Sequence, residues 1–208
     1  MDLYASPMAC SLASHITALE AGLPVTIHYV NTTTKKTDDG ADYLKISANG
    51  YVPALKLASG MILNEGPSVL QYLADQKPAA KLAPAWGTPE RYQLIDTLNY
   101  LSTEVHKHVF HAIFTPGTPE PTVAAAKALV DPTLDYISKR LGNRDYLVGD
   151  SFTVADAYLV TLLNWYRYIG ADLKRRPNID AYHQRHLARP AVKQAVAEEM
   201  AERQRRAA

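Results

Sequence analysis

The feature that most restricts the fold is a change of pattern between Gln76 and Thr88. Before it, short strand-like and helix-like stretches alternate; after it, everything reads as helix. The stretch itself holds Pro78, Pro84 and Gly87, shows no helical period, and reads as a linker. A chain of 208 residues has room for one or two domains with real cores. A small mixed domain followed by a helical one fits the pattern.

In the first part, Leu3-Tyr4 is a short apolar strand that runs into a Ser6-Pro7 turn. Ala-rich residues through Leu19 and Ala21 then read as a helix, stopped by Gly22 and Pro24. Val25 to Val30 is β-branched and reads as the second strand, and polar Asn31 to Gly40 as a loop. Asp42 to Ile46 reads as one helical turn. Tyr51 to Leu57 is a strand carrying Pro53, and with the Ser59-Gly60 turn and Met61 to Leu63 it predicts a hairpin. Glu65-Gly66-Pro67-Ser68 then opens a helix with proline in its first turn. The order βαβ, an irregular segment, ββ and a closing helix is the layout of a thioredoxin-like half.

Beyond the linker, Leu94, Leu98, Leu101, Val105 and Val109 form one apolar stripe from Glu90 to about Ala112. Asn99, Thr103, His106, Lys107 and Phe110 are expected on another face, with Glu104 beside both. Val123 to Leu141 reads as one helix closed by Gly142. Thr153 and Asp156 form a capping-box variant ahead of an apolar helix through Tyr158, Leu159, Leu162, Leu163 and Trp165, the expected centre of the second domain. Asn178 to Ala188 and Pro190 to about Glu202 complete the helices. The pairs Glu199–Arg203 and Glu202–Arg206 read as surface i,i+4 support, and His183 and His186 as surface residues.

Charge is balanced at 22 basic and 21 acidic side chains, which gives no support for a nucleic-acid or polyanionic partner. No apolar run is long enough to span a bilayer, and the start lacks the layout of a signal peptide. The cytoplasm is the expected location. The only cysteine, Cys10, excludes an intrachain disulfide and survives best in a reducing compartment. Its place at a helix N-terminus favours the thiolate, whereas an ordinary lone cysteine is a small buried hydrophobe. Val52-Pro53 is either a cis bond that turns the Val52 backbone outward for an extended peptide, or a trans proline on an edge strand. Glu65-Gly66, at a helix start, suits a carboxylate ligand or is purely structural. His106, His108 and His111 fall on different faces, so no metal site is expected.

Ser6-Pro7 through Cys10-Ser11, Lys35-Lys36-Thr37, Gly50-Tyr51-Val52-Pro53 with Glu65-Gly66, and Ser102 through Lys107 occur in one order along nearly the whole chain. In this the sequence resembles the bacterial beta class of cytosolic glutathione transferases. The resemblance implies an α/β plus all-α fold: a thioredoxin-like glutathione-binding domain at 1–78, a linker at 79–88, and an all-helical acceptor domain at 89–208. It also implies a homodimer. Carried over by position, Cys10 would face the glutathione sulfur, Val52 beside cis Pro53 would pair with the cysteinyl unit, and Glu65 with Gly66 would take the γ-glutamyl end. Lys35 would neutralise the glycyl carboxylate. His106 and Lys107 would approach the sulfur, with Asn99 supporting that wall, while Thr103 and Glu104 would reach the neighbouring subunit's glutathione. Many family members carry Ser where Gly66 stands here.

The chemistry that follows is attack of the glutathione thiolate on hydrophobic electrophiles, a detoxifying conjugation with glutathione as co-substrate and no metal. A helix N-terminus with His106 and Lys107 would lower the thiol pKa. Met8, Phe110, Phe114, Trp165 and Tyr168 are the candidate acceptor pocket. Two other readings stand beside this one. In the first, Cys10 itself is the nucleophile of glutathione-dependent thiol–disulfide exchange or reductive dehalogenation, with glutathione as the resolving thiol. In the second, the protein binds glutathione or apolar ligands without turnover.

Overall fold

Strand β1, Asp2–Ala5, shows the period of two that a two-sided sheet demands. Leu3 and Ala5 enter one core cluster with Leu55, Leu57, Val69 and Leu73, while Tyr4 points to the other face with Val30, Tyr43 and Ala54. Around it lie β2 (Thr26–Asn31), β3 (Lys36–Thr37), β4 (Ala54–Lys56) and β5 (Ile62–Leu63), in the order β3-β2-β1-β4-β5. The β1–β2 pair is parallel and the others are antiparallel. Helix α1, Leu12–Ala21, makes the crossover between β1 and β2 and ends at Gly22, whose φ of 61° is a left-handed cap. Helix α2, Gly66–Asp75, follows the β4–β5 hairpin.

This computed structural model describes residues 1–207. The chain divides into two units, Met1–Ala83 with the stretch from Ala188 onward, and Pro84–Leu187. The second holds α3 (Pro89–Tyr100), a π-helical continuation (Leu101–Phe110), α4 (His111–Phe114), α5 (Glu120–Ala128), α6 (Val130–Leu141), α7 (Val154–Tyr168) and α8 (Pro177–Leu187). The last helix, α9 (Pro190–Ala207), packs on α1 and belongs to the first unit, although it follows the helices of the second in sequence. As expected, α7 is buried along almost its whole length. Its capping box forms: the Asp156 carboxylate accepts from the Thr153 backbone at 2.8 Å, and also from Leu147 N–H at 2.8 Å and Tyr182 hydroxyl at 2.6 Å. No described helix is long and apolar enough to cross a membrane.

Several expectations need correction. Residues 31–40 are not all loop. Asn31 Oδ1 accepts from the Thr33 and Thr34 amides, and the turn brings Lys36–Thr37 back beside β2. Two residues are too few to show a strand period. The single helix expected over 123–141 is two helices broken at Leu129, because Pro132 has no N–H to offer the Ala128 carbonyl. His183 and His186 are buried, not superficial: with Ile179 and Tyr182 they complete the i, i+3, i+4, i+7 face of α8. Their Nε2 atoms bond Asn164 Oδ1 and the Asp145 carbonyl, each at 2.9 Å. Glu202–Arg206 does form an i,i+4 pair at 2.6 Å, but Glu199 is fully buried.

Candidate active site

In the first unit the chemistry gathers between β1 and α1. The Ser6-Pro7 turn is closed by Ser11, whose hydroxyl accepts from the Ser6 amide at 3.1 Å and donates to the Ser6 carbonyl at 3.2 Å. Met8 lies in the left-handed region at φ 61°, a costly conformation for a side chain with a Cβ. Its amide is anchored by Glu199 Oε2 at 2.7 Å. The other oxygen of Glu199 meets His15 Nδ1 at 3.1 Å, and His15 Nε2 meets Glu198 at 3.1 Å. Burial raises the Glu199 carboxyl, opposed by the bonds from His15 and from the Met8 amide. The terminal helix thus holds the turn in front of Cys10. Glu199 and His15 were missed in the sequence, although Val192, Ala195 and Glu199 recur at three and four on one face of α9.

Cys10 is half-buried at the head of α1, with its carbonyl accepting from Ala13 N–H at 3.2 Å. Its thiol donates to the Val52 carbonyl at 3.0 Å. The Val52–Pro53 bond is cis. Lys35, itself at φ 56°, carries its Nζ to the Gly50 carbonyl at 2.9 Å and to within 5.5 Å of the Tyr51 ring centroid. Tyr43 braces the same segment by donating to the Tyr51 carbonyl at 2.7 Å, and burial pushes its phenol up to about 12, so it stays neutral. Exposed Glu65 is the extended residue ahead of α2, and Gly66 begins the helix with open space where a Cβ would stand. Cys10, Val52, Pro53 and Lys35 are therefore linked through the 50–53 segment, and Glu65 and Gly66 stand at the start of the helix after the hairpin.

In the second unit, the face expected to carry Asn99, Thr103, His106, Lys107 and Phe110 divides. Asn99, Thr103 and Lys107 are exposed, whereas Phe110 is fully buried and His106 is largely so. The cause is the π-helical winding of Leu101–Phe110: each residue advances less than in an α-helix, so a wheel drawn for α geometry drifts over ten residues. Thr103 donates to the Asn99 carbonyl at 3.0 Å, and exposed Glu104 lies 3.5 Å from His108. His106 Nδ1 stands 2.7 Å from the Tyr158 hydroxyl, with the ring edge-on to Trp165 at 5.0 Å between centroids. Burial first, then the charges of Lys107 and His111, lower His106 to about 4. It is a neutral imidazole near neutral pH, so it contributes a hydrogen bond and no charge.

The aromatic residues of the expected acceptor pocket are brought together. Phe110 and Phe114 stack at 5.5 Å, both meet Trp165 edge-on, and Phe114 lies 6.2 Å from Tyr168. Phe110 and Trp165 belong to the core; Phe114 and Tyr168 reach solvent at 40% and 67% exposure. Met8 belongs to the other unit. Among the described residues, no three His, Cys, Asp or Glu side chains are grouped to hold a metal ion.

Residues 7–76 match the family model for the glutathione S-transferase N-terminal domain, and residues 100–190 the model for the C-terminal domain. Glutathione S-transferase GstA of Escherichia coli O157:H7 is 39% identical over 199 residues, which are 96% of this chain and 98% of that protein. A sphingomonad glutathione S-transferase solved as a complex with glutathione superposes with a TM-score of 0.92 at 42% identity, covering 96% and 98% of the two chains. The bacterial beta-class enzyme of Sphingomonas chungbukensis gives 0.92 at 43% identity, with the same coverage. The chain belongs to the glutathione S-transferase family, as a beta-class glutathione transferase with glutathione as its co-substrate.

Proposed function

We propose that the 50–53 segment, Lys35 and the start of α2 hold glutathione, and that its thiolate attacks hydrophobic electrophiles. The observation that carries this reading is the Cys10 thiol against the Val52 carbonyl at 3.0 Å, which sets the lone thiol of a helix head beside the backbone that leads into β4, a stretch a peptide can pair with. A carbonyl oxygen accepts two bonds, so Val52 can keep Cys10 and receive the cysteinyl N–H as well. Glu65 and the Gly66 amide take the γ-glutamyl end, and the Lys35 ammonium takes the glycyl carboxylate. His106 and Lys107 serve the sulfur from the helical unit, with Asn99 behind them. Thr103 and Glu104 serve the glutathione of a partner subunit in a homodimer. Met8 and the aromatic group of Phe110, Phe114, Trp165 and Tyr168 favour apolar acceptors, with Phe114 and Tyr168 as its accessible members. With an aryl halide, a carbon–sulfur bond forms and the halide departs with the electron pair. The reaction belongs in the cytoplasm, where glutathione is abundant and reduced.

Steady-state conjugation of glutathione to an activated aryl halide tests this. Lys35→Ala is expected to raise KM for glutathione with little change in kcat, as for lost ground-state binding. A wild-type protein that binds glutathione without turnover would instead be a sequestering binder. The exposed half of Cys10 favours one second reading, in which this thiol itself carries out exchange or dehalogenation.

A further inference from the structure

We propose that Tyr158 is a positioning residue that fixes His106 in the tautomer protonated on Nε2, so that the ring offers a neutral N–H donor to the sulfur of glutathione. The inference rests on the reading above, in which His106 serves that sulfur, and adds how the ring is prepared for it.

The 2.7 Å contact between His106 Nδ1 and the Tyr158 oxygen admits two arrangements. Either the phenol donates to Nδ1 or Nδ1–H donates to the phenol. The phenol is the more acidic of the two donors, and a neutral imidazole nitrogen is the more basic acceptor, so O–H to Nδ1 is the stronger bond. That bond places the ring proton on Nε2. Tyr158 is able to enforce the choice because it is 3% exposed in the second turn of α7, between fully buried Ala157 and Leu159. Trp165, two turns further along the same helix, meets the imidazole edge-on, and Phe110 packs in turn against Trp165.

The charged surroundings agree. From its own helix His106 faces Lys107 and His111, and from α7 it meets Tyr158 and Trp165. No carboxylate is among the groups that act on it, which are Lys107 and His111 beside its burial. Nothing therefore favours an imidazolium. With Nδ1 occupied, Nε2 is the nitrogen left for the sulfur. In the Nε2–H form it stabilises a thiolate by donating to it, and it cannot act as the base that removes the thiol proton.

The test combines imidazole nitrogen NMR on histidine-labelled protein with the pKa of enzyme-bound glutathione, read from thiolate absorbance. In the wild type, His106 should show an unprotonated Nδ1 and a protonated Nε2 across neutral pH. In Tyr158→Phe, the two tautomers should mix and the bound thiol pKa should rise by about one unit, the size expected for weakening a hydrogen bond to a charged group. KM for glutathione should change less than kcat. A wild-type Nδ1–H signal overturns the proposal without recourse to any variant, and so does Tyr158→Phe protein with unchanged tautomer and thiol pKa. His106→Ala separates the two claims. If it too leaves the thiol pKa unmoved, the reading that His106 serves the sulfur fails. If it raises that pKa while Tyr158→Phe does not, the role of Tyr158 alone fails.

Discussion

Replacing Glu199 with alanine should destabilise the protein far more than replacing it with glutamine. The carboxylate is fully buried and accepts from the Met8 amide at 2.7 Å and from His15 Nδ1 at 3.1 Å. Alanine leaves both donors buried without an acceptor and opens a cavity between α9 and α1. Breaking such a buried, charge-assisted pair costs about 3–5 kcal/mol, a large share of an ordinary stability of roughly 5–15 kcal/mol. Glutamine keeps the shape. Its carbonyl can still accept from Met8, and its amide can donate to His15 Nδ1 once the His15 proton moves to Nε2, which faces Glu198 at 3.1 Å. It should cost about 1 kcal/mol, close to the net worth of one hydrogen bond. Urea unfolding followed by circular dichroism measures both. Because Met8 precedes Cys10 in the same turn, Glu199→Ala should also raise KM for glutathione, and Glu199→Gln should not. Equal losses for the two variants, or a loss under about 1 kcal/mol for alanine, would refute the anchoring argument.

Other perturbations have signs set by the same geometry. Burial holds His183 at about 4, below its unfolded value, so the unfolded chain takes up the proton first. The stability it supplies is complete above about pH 6.5 and is lost as pH falls toward about 4, about 2 kcal/mol of it by pH 5. Urea midpoints at about pH 7.5 and about pH 5, above and below the unfolded histidine value, should therefore differ less in His183→Gln than in the wild type. At Gly50, with φ 65°, an added Cβ would meet Leu44 at 3.0 Å and the Lys35 chain at 3.2 Å. Gly50→Ala should displace Lys35 and raise KM for glutathione, with kcat nearly kept; an unchanged KM would remove Lys35 from the binding account. Gly66→Ser meets open space and adds a donor at the start of α2, so KM for glutathione should fall by roughly fivefold, or about 1 kcal/mol.

Much of this was legible in the chain because local rules and tertiary packing agreed. The β4–β5 hairpin, Gly22 as the stop of α1, the Thr153–Asp156 box and the buried course of α7 each follow from patterns a few residues long. Elsewhere tertiary contacts decided. β3 has two residues and exists because the Asn31 turn returns it to β2. The wheel that placed Phe110 with Asn99 assumed α-helical winding, and the π-helical stretch turned it into the core. The chemical type of His183, His186 and Glu199 suggests surface groups, whereas their spacing puts them on inward faces. The left-handed Met8 carries no sequence signal, since methionine has no preference for that conformation.

In the proposed reaction glutathione supplies the nucleophile and Cys10 only accompanies it. Initial rates of conjugation to an activated aryl halide, wild type beside Cys10→Ala at equal enzyme concentration, test this directly. Turnover by both proteins, with kcat of the variant within about tenfold of the wild type (about 1.4 kcal/mol in barrier), is the predicted result. Turnover by the wild type alone would place Cys10 in the bond-making step and contradict the account.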